Sequence, residues 1–114
     1  MEIQNPLFFD GNAAPWEKMI EGVDRQILGY NQNLMMVRVQ FKAGAIVKPH
    51  QHPHSQISYI ASGIFEVTID DKKAILKAGE SFFAAPSAWH GVVCMEDGLI
   101  IDAFNPCRED FLKP

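Results

Sequence analysis

Three of the four histidines, His50, His52 and His54, fall within five residues, and the fourth, His90, lies near the end of a separate segment. Neutral imidazole is the commonest metal ligand. On an extended segment alternate side chains share a face, so His50 and His52 present both rings to one side. This pattern points to a single metal ion. The competing reading is a surface patch of histidines, and the use of two distant segments argues against it. A second group lies near the C-terminus. On an extended 99–104 segment Ile100, Asp102 and Phe104 share one face. A carboxylate among apolar residues is costly to bury unless it is paired or working. Desolvation there raises its pKa, which suits proton transfer near neutral pH. Arg108, just past Pro106, carries a planar fork suited to bidentate capture of a carboxylate. Each of these has a structural alternative. Asp102 pairs with Arg108 or Arg38 as a scaffold carboxylate, Phe104 is simply core, or Arg108 closes a surface ion pair with Glu109 or Asp110.

The elements that must hold these residues read as short strands. Over 34–41, Met35, Val37, Val39 and Phe41 alternate onto one face. Segments 57–62 and 64–69 flank Gly63, and Asp70 and Asp71 turn the chain into 72–76 as a hairpin. Further strands are expected at 81–84, 90–95 and 99–104, punctuated by glycines and prolines. Only Pro15 to Ile20 reads as briefly helical. Many short strands at regular spacing indicate an all-β sandwich or closed barrel. The expected organisation is one domain over 1–114, since this length allows one compact core.

Composition excludes several function classes. Ten Lys and Arg stand against fourteen Asp and Glu, with no basic run, which argues against nucleic acid. No apolar stretch approaches the roughly 20 residues of a membrane helix. The first residues lack the basic and apolar regions of a secretory signal. Cys94 and Cys107 show no C-x-x-C spacing and are expected to be free, buried thiols in a reducing, cytoplasmic compartment.

From Gly44 the chain runs five residues to His50, then His52, three residues to Gln56, and six residues to Gly63. From Gly79 it runs five residues to Ala85, Pro86 and Ser87, two residues to His90, and three to Cys94. These spacings resemble the two motifs of the cupin family. In the first, Gln56 stands where the family has glutamate. In the second, Ala85, Ser87 and Cys94 stand where it has proline, glycine and asparagine. The resemblance implies a single-domain, jelly-roll-like β-barrel. It also implies one divalent transition metal ion, such as zinc, nickel, manganese or iron, held by His50, His52, Gln56 and His90. Three imidazoles also suit copper. A three-histidine site completed by water is the alternative if the neutral Gln56 amide does not bind. His54 fits neither ligand position and is expected to support the ligands or lie on the surface. With no anionic ligand the ion keeps its double charge, which favours an anionic partner and counts against iron-dependent oxygen chemistry.

The 50–56 segment and the ending from Asp102 through Phe104, Pro106, Arg108, Glu109, Asp110 and Phe111 resemble the pectin-degradation cupins of the KdgF group. That group linearises 4,5-unsaturated monouronates released by pectin or alginate lyases. The resemblance implies a metal-dependent ring-opening isomerase in which Asp102, Phe104 and Arg108 occupy the substrate and catalytic positions. A small anionic sugar acid is then the substrate. A homodimer is expected by the same likeness, with an apolar strand edge or the Pro6–Phe9 segment as its contact. Another metal-dependent cupin enzyme, such as a dioxygenase, and a non-catalytic small-acid-binding or sensory cupin are the alternatives.

Overall fold

The computed structural model describes residues 5–112. Eight strands follow one another: β1 (Glu17–Ile20), β2 (Val23–Tyr30), β3 (Met35–Phe41), β4 (Ile46–His50), β5 (Ser55–Ile69), β6 (Lys72–Lys77), β7 (Ser81–Ala84) and β8 (His90–Asn105). A 3-10 turn, Glu109–Leu112, closes the described chain. All pairings are antiparallel, in the order β1-β2-β3-β8-β5-β6, with β4 on β8 and β7 on β5. No helix among the described residues is long and apolar enough to cross a membrane.

The two long strands, β5 and β8, organise the molecule. They run side by side from Ser55 against Asn105 to Ile69 against His90, with the register slipping around Ser62 and Ile64. At that point Gly63 (φ 86°) and Gly98 cross. A methyl on Gly63 would stand 2.6 Å from the Gly98 Cα, so only two glycines allow the backbones so close. Either side of the crossing the pair recruits different neighbours. The first half of β5 and the second half of β8 carry β7 and β3, and the other halves carry β6 and β4. The result is one sheet folded into two layers around a core.

That core follows from alternation. In β3, Met35, Val37, Val39 and Phe41 all turn inward. Phe41 meets Phe65 edge-on at 5.1 Å, and Ile60 and Phe65 are wholly buried. The 72–77 strand and its Asp70–Asp71 turn form as expected, with Ile69 paired to Lys72. Cys94 and Cys107 are free and buried, as expected.

Two expectations are corrected. Pro15 to Ile20 is not helical: Glu17–Ile20 is an edge strand on β2. Six residues cannot sustain a helix alone, whereas Glu17 gains a cross-strand ion pair with Arg25 at 2.6 Å. The segments 57–62 and 64–69, and likewise 90–95 and 99–104, are not separate strands. Each pair is one bent strand, because the glycine between them bends the sheet without ending it.

Candidate active site

The layered sheet opens into a cavity of about 540 Å³. Its walls are largely apolar, with Val39, Phe41, Val92 and Ile100 among them, and a few polar groups join them. They are His50, Gln56, His90, Asp102 and Arg108, with Lys48 at the rim.

Local backbone explains why the histidines converge. His50 and His90 face each other as a register pair of β4 and β8, beyond an irregularity between Val47 and His50. Such bulges re-aim side chains beside functional sites. Gly91 lets β4 lie close: a methyl there would stand 2.8 Å from the Pro49 nitrogen. His52 lies beyond β4, in the connection to β5. Its carbonyl accepts from the Ser87 N–H at 2.8 Å, so the β7–β8 turn holds the His52 loop in place. Ser87 has a φ of 65°, the left-handed region. This is the position where the resembled motif has glycine, so the backbone shape survives the substitution at a cost of about 1 kcal/mol.

The potential ligand nitrogens of His50, His52 and His90 lie within 4.8 Å of one another. Ring centroids are 4.3 Å apart for His50 and His90 and 4.8 Å for His52 and His90. The Nδ1 atoms of His50 and His90 lie 3.0 and 2.9 Å from the carbonyls of Lys48 and Ala88. A carbonyl only accepts, so each Nδ1 carries a proton, and in the neutral form of each ring Nε2 keeps its lone pair. This is the arrangement that metal-binding imidazoles adopt. His90 Nε2 is buried without a hydrogen-bond partner, as is His52 Nδ1. Burial, then the Arg108 charge, pushes the His52 pKa down to about 4, so its ring is neutral at pH 7. Burial also lowers His90. Pre-oriented imidazoles, two of them with buried unpartnered nitrogens, fit a divalent transition ion.

Gln56 extends this cluster. His52 Nε2 lies 3.0 Å from Gln56 Oε1, Gln56 Nε2 donates to Ser58 Oγ at 2.9 Å, and Ser58 Oγ donates to Asp102 Oδ1 at 2.5 Å. Ser58 is wholly buried. Asp102 faces the cavity but is surrounded by protein, and desolvation pushes its pKa up to about 6. The bond from Ser58, the positive charge of Arg108 and a hydrogen bond from Gln56 oppose that rise. Asp102 is thus a carboxylate able to give and take a proton near neutrality.

Arg108 serves two arrangements at once. It pairs with Asp110 through Nε at 3.1 Å and Nη2 at 2.9 Å, as the surface ion-pair alternative has it. Its guanidinium also lies over the rings of Phe104 and Phe111, at 5.1 and 4.2 Å, and borders the cavity. Phe104 is buried and lines the same space. Arg38 is excluded as a partner of Asp102. It pairs with Ile101 on the opposite face, bonds the Gln26 side chain and the Gly11 carbonyl, and lies 4.8 Å from the Trp16 ring. His54 sits 5.3 Å from the His52 ring and is not part of the three-histidine set. Desolvation lowers its pKa, with the Arg108 charge acting in the same direction.

Ser58 and Lys48 were missed from sequence. Ser58 had a signal: it alternates with Gln56 and Ile60 on the inward face of β5, where a polar residue needs a partner. Lys48 had none, because nothing in its neighbours marks the rim.

Comparison with known proteins agrees with the fold and the motifs. A cupin domain model matches residues 37–102. The chain is 46% identical over 107 residues to the pectin degradation protein KdgF of Dickeya dadantii, covering 92% of this chain and 97% of that one. An RmlC-like cupin from Shewanella frigidimarina superposes with a TM-score of 0.92 at 44% identity, over 95% of this chain and 97% of that one. The structure of KdgF from a Halomonas species superposes with a TM-score of 0.90 at 38% identity, over 94% and 99%. By its motifs, its folded sheet and these likenesses, the chain belongs to the cupin family and resembles the KdgF group within it.

Proposed function

We propose that the protein is a metal-dependent isomerase that opens the ring of 4,5-unsaturated monouronates from pectin or alginate breakdown, giving linear 4-deoxy-5-keto uronates. The observation that carries this reading is Asp102: a carboxylate with a raised pKa, facing one cavity together with a three-histidine cluster and an arginine. A purely binding site for an anion has no use for such a carboxylate, which repels its ligand. Likeness to the pectin degradation protein KdgF names the substrate class.

The residues suit the reaction. A divalent ion held by His50, His52, Gln56 and His90 supplies Lewis-acid stabilisation of negative charge. Asp102 accepts the proton of the anomeric hydroxyl. The C1 carbonyl forms as the bond from C1 to the ring oxygen breaks, leaving an enolate at C5. Asp102 returns the same proton to C4, and the enolate becomes a ketone. No atom or electron is gained or lost, so no redox partner is needed. Arg108 holds the substrate carboxylate, and Phe104 packs against the sugar ring. Ser58 keeps Asp102 aimed into the cavity.

Incubation with unsaturated galacturonate, following loss of the enol-ether absorbance, tests this directly. Catalysis above the spontaneous rate, removed by chelator and unchanged under nitrogen, is expected. No acceleration over the spontaneous reaction sinks the proposal, and a requirement for oxygen replaces it with an oxygenase.

We also infer that the chain forms a homodimer. Met36, Ile57, Tyr59 and Phe83 leave an exposed apolar row across β3, β5 and β7, and Leu7 and Phe8 are 94% and 91% exposed. Sedimentation at micromolar concentration checks this, and a monomer would refute it.

A further inference from the structure

We infer that Ser58 is a positioning residue that sets which end of the Gln56 amide faces the histidine cluster. The inference rests on the reading that Gln56 binds the ion, and it concerns how a neutral amide does so reliably. A glutamate offers oxygen whichever way it turns. A glutamine offers oxygen one way and an NH2 group the other, and the NH2 group cannot ligate a cation. Something must therefore choose the end.

Counting protons along the buried chain identifies the selector. Asp102, as a carboxylate, has no proton to give. Ser58 Oγ lies 2.5 Å from its Oδ1, so the single hydroxyl proton of Ser58 is committed to Asp102. Ser58 is wholly buried, and its Oγ is left with lone pairs only. The Gln56 amide end 2.9 Å away must therefore be the donor, which is Nε2. The other end, Oε1, is then turned to the imidazoles, 3.0 Å from His52 Nε2. Reversing the amide would set its oxygen against a hydroxyl with no proton to spare and leave its buried NH2 group against the ligands. Both faults are penalised by desolvation. The carboxylate, serine and glutamine thus form a one-directional chain, and its far end is a correctly oriented metal ligand.

Zinc affinity, measured by competition with a chromophoric chelator, tests this without reference to turnover. Gln56→Ala probes the underlying reading: unchanged affinity removes Gln56 as a ligand, and the inference with it. If Gln56→Ala weakens zinc, Ser58→Ala is expected to weaken it about tenfold as well, the usual effect of losing an orienting partner. In a Gln56→Glu background the same Ser58→Ala change should shift affinity less than about twofold, since a carboxylate has no wrong end. An equal loss in both backgrounds, or no loss in either, overturns the inference while leaving Gln56 a ligand. If Ser58→Ala does not fold, the zinc-loaded wild-type protein answers the question. Its Gln56 side-chain amide protons should show nuclear Overhauser contacts to the Ser58 β protons, and their absence overturns the inference.

Discussion

Asp102 shows how far a single residue can be read. Its place among inward apolar residues follows from the alternation of Ile100, Asp102 and Phe104, and the structure keeps that face inward. Its real partner, Ser58, lies 44 positions away and is fixed only by the pairing of Ser58 with Asp102 across β5 and β8. Tertiary register of that kind is not written in local pattern. The raised pKa has two measurable consequences. Asp102→Asn should lower turnover by about 100-fold or more while zinc affinity is retained, which steady-state rates and chelator competition check together. The second consequence concerns stability. A carboxyl whose folded pKa, about 6, lies above its usual value near 4 disfavours the folded state wherever it is ionised in both states. That penalty is full above pH 6 and fades as the pH falls through 6 towards 4. Asp102→Asn should therefore be more stable than the parent at pH 7.5, by about 1–2 kcal/mol given the open cavity, and the gain should vanish near pH 4. Urea unfolding at several pH values measures it, and a constant gain would contradict the cause given. Arg108→Lys keeps the charge but loses the fork and the ring stacking. KM for the uronate should rise about tenfold, with a smaller effect on kcat.

Strand alternation was legible element by element, and it failed in two informative places. It located 81–84 and the inward face of 35–41 correctly, because one buried face imposes a period of two. It broke β5 and β8 at their glycines, since a glycine in a strand signals a bend or an end equally well. It also left β2 and β4 undrawn and read β1 as a helix. β1 is exposed at every position, and β4 is only partly covered, so neither shows a clean apolar face. β2 mixes polar and apolar residues, and one of its buried side chains is Gln26, satisfied by the carbonyls of Gly11 and Ala14. The crossing of the two long strands carries a prediction of its own. A methyl on Gly98 would run into the Ser62 carbonyl and approach the Gly63 Cα to 2.7 Å. Gly98→Ala should cost about 3 kcal/mol or more, or prevent soluble folding, and thermal unfolding compared with Gly29→Ala, which meets only Asn5 Oδ1 at 3.4 Å, isolates the effect.

At the scale of the whole molecule, the site lies where the two layers meet. His50 and His90 come from the layer built on β4 and the first half of β8. Gln56 and Asp102 come from the layer built on β7 and the second half of β8. The motif spacings marked His50, Gln56 and His90 as partners, and the C-terminal segment supplied Asp102. The meeting of the layers depends on where β5 and β8 bend, which only the fold supplies. The chain has no disulfide among its described residues to fasten the layers together. An ion held by both would act as a removable cross-link, tightening the seam by mass action. Stripping the metal should lower the melting temperature by roughly 10 °C, on the order of 2–3 kcal/mol for a site a hundredfold saturated. Amide exchange should quicken first along 50–56 and 102–104. Calorimetry and exchange mass spectrometry would show it, and uniform loosening would rule it out. Catalyst and clasp would then be the same ion, and the protein's lifetime in a cell would be tied to metal supply: starved chains would be lost by unfolding and proteolysis instead of accumulating as intact, idle protein.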